Sequence, residues 1–175
     1  MDSPFSLDAK GRALTEAGKY EEAVAAFTKA LELEPGNSGL IYNRGEAYRR
    51  AGRTAEALLD LNSALEIEGE SPDLLLALGL TNYEAEDYPA ARAAYERALV
   101  LRADFPEAWN DLGVVDFRAG DYGKARAHFE KAVALAPGYE EAWFNLADCY
   151  EELGLRREER EARARLKTLG ARGEE

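Results

Sequence analysis

The chain has 175 residues, with apolar residues at 46% and charged residues at 32%, a balance that suits one globular domain. Thirty-four acidic residues against 22 basic ones leave a formal charge of −12, which a nucleic-acid backbone or an anionic membrane would repel. No apolar run reaches the ~18 residues that a membrane span needs, and Met1-Asp2-Ser3-Pro4 opens no basic leader. A lone cysteine and a lone histidine exclude an internal disulfide and a clustered Cys/His metal site. The expectation is a cytoplasmic, non-catalytic protein with no cofactor, no metal and no membrane insertion.

In chain order the sequence divides into units of one pattern. The first, 4–37, carries Gly11, a break at Gly18, then Ala23, Phe27, Ala30 and Pro35. The second, 38–71, repeats this as Gly45, Gly52, Ala57, Leu61, Ala64 and Gly69. The third, 72–105, reads Gly79, Ala91, Tyr95, Ala98 and Ala103, with Glu86-Asp87 at the break. The fourth, 106–139, reads Gly113, Gly120, Ala125, Phe129, Ala132 and Pro137. The fifth, 140–154, keeps Ala147 and Gly154 before a charged segment, 155–170, in which the columns become Glu159, Arg163 and Leu166. Corresponding positions lie 34 residues apart throughout. Each unit is two amphipathic helices split by a breaker. Small residues let the two helices approach, and the large residue four beyond each Ala fills the space to the next unit. A helix pair cannot bury its apolar face alone, so pairs stack into a solenoid of ten helices. The charged last helix is expected to cap it, with a docking helix as the alternative.

These columns resemble the tetratricopeptide repeat, with its Trp-x2-Leu-Gly-x2-Tyr run followed by Ala-x3-Phe, Ala and Pro. The fourth unit carries Trp109, Leu112, Gly113, Ala125, Phe129, Ala132 and Pro137; the fifth opens with Trp143, Leu146, Ala147 and Tyr150. The first departs from the pattern, with Leu7 and Lys10 in the places of Trp and Leu. The resemblance covers about residues 4 to 154. It implies an all-α, right-handed superhelical solenoid forming a single domain over 1–175, with the first helix of each unit lining a concave face.

On that face the stripe of positions spaced three, four and three apart is apolar in the middle units, at Leu76, Leu80, Tyr83, Val114 and Phe117, and polar at both ends. Tyr42 continues it, and Arg49 stands at its edge. An apolar strip with a polar rim suits a peptide or a helix. The Tyr column, kept at Tyr48 and Tyr150, is Asn82 and Asp116 in units three and four. There the aromatic stands one residue on, at Tyr83 and Phe117, which is ~100° of helix rotation and turns the ring toward the groove. Asn43, Asn110 and Asn145 offer amides to a ligand backbone. Cys149 shares its column with small or apolar residues and reads as a packed thiol. His128 shares its column with Ala26, Asp60, Ala94 and Ala162 and reads as a solvated histidine.

The family's clamp for acidic chaperone C-termini needs cations where this chain has Asp8, Asp73, Glu107 or Glu141, so that ligand is excluded. The function expected is a scaffold that takes an apolar, basic segment of another protein into its groove, as a monomer or weak oligomer. The alternatives are a chaperone for hydrophobic secretion cargo and a self-assembling building block.

Overall fold

The computed structural model describes residues 3–171. Among them are ten α-helices and no strand. They are α1 (Pro4–Glu16), α2 (Tyr20–Leu33), α3 (Ser38–Arg50), α4 (Thr54–Glu68), α5 (Pro72–Glu84), α6 (Tyr88–Leu101), α7 (Pro106–Arg118), α8 (Tyr122–Leu135), α9 (Glu140–Glu152) and α10 (Arg156–Gly170). The fold is an all-α repeat solenoid built from helix pairs. No helix among the described residues is long and apolar enough to cross a membrane.

Local chemistry sets the ends of these helices. Ser3, Asn37 and Ser71 accept a backbone N–H at the starts of α1, α3 and α5, and Pro4, Pro72 and Pro106 sit where a missing N–H costs nothing. The first helix of every pair ends in one turn. At Gly18, Gly52, Gly120 and Gly154 the backbone is left-handed, with φ between +70° and +77°. The next N–H then reaches back five residues, from Lys19 to the Leu14 carbonyl at 2.8 Å and from Arg53 to the Tyr48 carbonyl at 2.9 Å. This is the Schellman closure of a helix end.

The third pair makes the same turn with Glu86, at φ +62°, and Asp87 N–H reaches the Asn82 carbonyl at 2.9 Å. A side chain in that conformation costs ~1–2 kcal/mol, against the smaller entropy loss of a glycine. Glu86→Gly is therefore expected to stabilise the protein by ~0.5–1 kcal/mol. Thermal unfolding checks this, and a lowered midpoint contradicts it.

The chain forms two compact units, one ending at Ala91 and the other beginning at Arg92. In the first, α1 to α5 pack in sequence, each helix against the next. A Cβ on Gly11 would stand 2.5 Å from the Phe27 ring, and one on Gly45 would stand 3.1 Å from Leu61. In the second unit α7, α8, α9 and α10 pack in sequence, and a Cβ on Gly113 would stand 2.6 Å from Phe129. In these three pairs the large residue of the second helix thus lies over the glycine of its own pair. Phe129 also joins Ala142 and Leu146 of the following helix in one core, so it fills both spaces. Cys149 belongs to that core, where its thiol donates to the Tyr122 carbonyl at 3.2 Å and burial pushes its pKa up to about 11.

Candidate functional site

In the first unit, α3 and α5 present Tyr42, Leu76 and Leu80, each partly exposed. Burial pushes the Tyr42 hydroxyl up to about 12, and the carboxylates of Glu46 and Asp73 add to it, so the phenol stays a neutral donor. Two clefts open beside this face and share Gly39 and Asn43. One, of about 340 Å³, is lined by Phe5, Asp8 and Glu34; the other, of about 260 Å³, by Tyr42, Glu68 and Asp73. The described lining residues of both include carboxylates and no lysine or arginine. Phe5 is 79% exposed.

Two residues of the expected site are already engaged within this unit. Asn43 donates its amide to Asp8 Oδ1 at 2.9 Å. Arg49 bonds Glu46 at 3.0 Å and Glu84 at 2.7 Å, and only 14% of its side chain is exposed. Burial works against its charge, yet the bonds to Glu46 and Glu84 outweigh that and raise the pKa above arginine's ordinary value. The cation is neutralised inside the repeat array and is not a free charge at a groove edge.

In the second unit, Val114 and Phe117 of α7 meet Asn145 and Asp148 of α9 around a small cleft of about 70 Å³. Phe144, one position before Asn145, is more than half exposed. Asn110 has no exposed surface. It accepts the Asn145 amide at 2.9 Å and donates to Asp111 at 3.2 Å, so its polar groups are spent inside the protein. Both asparagine bonds link one first helix to the previous one, 35 residues back.

The aromatic shift has a different outcome from the one expected. Tyr83 stands edge-on to Tyr88, with ring centres 5.4 Å apart, and Phe117 stands edge-on to Tyr122 at 5.0 Å. Each ring turns onto the tyrosine that starts the second helix of its own repeat, because an aromatic edge completes that contact. Phe117 keeps one face on the cleft; Tyr83 is held by its tyrosine.

His128 corrects a second expectation. Its column is tolerant, but the residue itself is enclosed, with 20% of its side chain exposed. Its Nδ1 lies 2.8 Å from Oδ2 of Asp116, and its ring lies 5.5 Å from Trp109. Asp116 is 1% exposed, and its Oδ1 accepts from Arg92. The signal was present as a coincidence: Asp116 breaks the Tyr column in the same unit in which His128 breaks its own.

Among the described residues no group of three or more His, Cys, Asp and Glu side chains could hold a metal ion. The charged helix α10 is fastened to α9 by Arg163, which bonds Asp148 at 3.3 Å, Glu151 at 2.6 Å and its own Glu159 at 3.0 Å. That triple bond explains an arginine in a column that elsewhere holds a large apolar residue.

Tetratricopeptide repeat profiles match residues 9–73 and 76–140, and a second profile of the same repeat matches 116–174. Curated protein sequences yield no match. Among solved structures, the chain is similar to MamA, at 25% identity over 93% of this chain and 95% of that one, with a TM-score of 0.79. It is similar in fold to PilF of Pseudomonas aeruginosa, at 18% identity over 95% of this chain and 76% of that one, with a TM-score of 0.86. It is also similar in fold to YrrB, described as a tetratricopeptide protein with an unusual peptide-binding site, at 24% identity over 94% of this chain and 84% of that one, with a TM-score of 0.70. With the repeat matched over most of its length and the fold reproduced in these structures, the chain belongs to the tetratricopeptide repeat family, a scaffold for protein–protein interaction.

Proposed function

We propose that the protein is a non-catalytic binding module that holds a segment of a partner protein against the first helices of its repeats. The observation that carries this reading is the set of apolar side chains left partly exposed there, Leu76 and Leu80 in the first unit and Val114 and Phe117 in the second. Val114 and Phe117 rest partly on the core of the second unit and keep part of their surface open, and a ligand that covers either pair removes apolar area from water. The acidic clefts beside Tyr42 and Phe5 favour lysine or arginine in the same segment. Tyr42 supplies a polar group at its margin, whereas Asn110, Asn145, Asp148 and Arg49 are bonded to neighbouring helices of the protein itself.

Leu80→Glu and Val114→Glu test the reading better than a change at Phe117, which would also remove the contact with Tyr122. Each places a charge where the ligand must desolvate it. Affinity capture is expected to lose the same partner with both variants, while helical content and melting temperature stay near those of the unmodified protein. Retained capture, or unfolding by either change, refutes the proposal.

A further inference from the structure

The last helix is charged in the opposite sense to the rest of the chain. Helix α10 has six basic residues against three acidic ones, whereas the other residues of the chain have 16 against 31. Its inner side is fixed: Ala162 is buried, and Arg163 is taken by Asp148, Glu151 and Glu159. Its outer side is open. Arg156, Arg160, Ala164 and Lys167 are all exposed, and their spacing of four, four and three makes them one stripe. Arg156 reaches Glu159 only at 3.9 Å, and Arg160 and Lys167 have no side-chain partner among the described residues. Ala164 between them keeps the stripe low enough for another backbone to approach.

The first unit has the matching surface. Its two acidic clefts lie on either side of α3, one between α1 and α3 and the other between α3 and α5. Clefts that flank one helix are separated by its diameter, ~10 Å. Arg160 and Lys167 are as far apart, since seven residues of helix rise ~10 Å. Gly39 lines both clefts, so the ridge between them carries no side chain there. Asp8 and Asp73 have partners within the protein. The other two carboxylates do not meet a cation. Glu34 accepts the neutral amide of Asn37 at 2.8 Å and shares its cleft with the exposed ring of Phe5. Glu68, in the second cleft, has no side-chain partner among the described residues.

We infer that the outer stripe of α10 docks into these two clefts on a second copy of the chain, with the Arg160 guanidinium over Phe5 and against Glu34, and the Lys167 ammonium against Glu68. A planar guanidinium can stack on a ring while it bonds a carboxylate, and the compact charge of a lysine suits a lone carboxylate. An anionic polymer or membrane is a poorer match for the stripe, because the net charge of −12 repels it from the rest of the surface. The inference rests on the reading of the first helices as the binding face and names one occupant for it.

The test is sedimentation equilibrium of the full chain. The mean mass of the unmodified protein is expected to rise with concentration at low salt and to return to that of the monomer at ~0.5 M salt, where screening acts within a few ångströms. Two charge-reversed variants, Arg160→Glu with Lys167→Glu and Glu34→Lys with Glu68→Lys, should each be monomeric. All four positions are exposed, and a lysine at the C-terminal end of α2 or α4 suits the helix dipole, so the fold is kept. An equimolar mixture of the two variants should associate again, because every helix then meets a site of opposite charge. Arg160→Gln with Lys167→Gln, which removes the charges without reversing them, should weaken association. A monomer at every concentration, association that survives either reversal, or a mixture that stays monomeric overturns the inference. Partner capture separates it from the reading it rests on. Arg160→Glu with Lys167→Glu leaves the first helices untouched and should capture the same partner as the unmodified protein, so the binding module stands even where self-association is absent.

Discussion

Replacing Gly113 by valine is expected to destabilise the second unit by ~3 kcal/mol. The added Cβ would lie 2.6 Å from Cε1 and 2.7 Å from Cδ1 of Phe129. That ring is buried and shares its core with Ala132, Ala142 and Leu146, so it has no space to retreat into. Overpacked cores respond by opening, typically at ~1–3 kcal/mol, and a β-branched residue stands at the upper end. Gly45→Ala should cost less, because the atom it meets is the branched end of Leu61 at 3.1 Å. The comparison suggests a rescue: Phe129→Leu places in the fourth repeat the leucine that faces Gly45 in the second, and should relieve part of the cost of Gly113→Ala. Denaturant unfolding of the two single variants and the double variant checks this. Equal stability of Gly113→Val and the unmodified protein would mean that the helix crossing is looser than described.

Asp116→Ala is the second large effect, expected to cost ~2–3 kcal/mol. The change leaves Arg92 and the Nδ1 of His128 without their shared acceptor, and His128 Nδ1 is buried with no alternative partner. Removing one member of an enclosed charged group exposes the desolvation cost of the others. Arg92 remains about one-third exposed and recovers part of its hydration, which holds the loss below that of a fully buried pair. Asp116→Asn keeps the volume and one acceptor and should cost about 1 kcal/mol. Amide hydrogen exchange should show the loss concentrated in α7 and α8. An effect of Asp116→Ala within ~0.5 kcal/mol of zero, the range of an ordinary surface change, contradicts the network.

The architecture was legible because it depends on spacing. Gly11, Gly45 and Gly113 each sit beneath the large residue of their own repeat, and the breakers, Glu86 included, fall where the left-handed turns form. A column of small residues also placed Cys149 in the core. The polar part of the site was less legible, for a physical reason. Comparing columns treats each position as a property of the repeat, whereas a hydrogen bond depends on two positions in one place. His128 looked solvated because Ala26, Ala94 and Ala162 say nothing about a carboxylate that occurs once, at Asp116. Asn110 has a polar side chain in a stripe of surface positions, and its burial follows only from the amide that Asn145 extends to it. Tyr83 and Phe117 were seen to have moved, but the tyrosines that receive them, Tyr88 and Tyr122, lie five residues on in another helix.

The two asparagine bonds bear on how such a chain can be rearranged. Asn43 to Asp8 and Asn145 to Asn110 join the same pair of columns at two junctions. At the junction of α3 and α5 the same columns hold Ala77 and Tyr42, and the alanine has no side-chain polar group to offer. Repeats of equal length are therefore not interchangeable parts. A tandem duplication of 38–71 would set a second Asn43 above Tyr42 in place of Asp8, and a partly buried amide would meet a phenol where it had met a carboxylate. Shuffling, duplication or grafting of single repeats in this protein must carry both sides of a junction together.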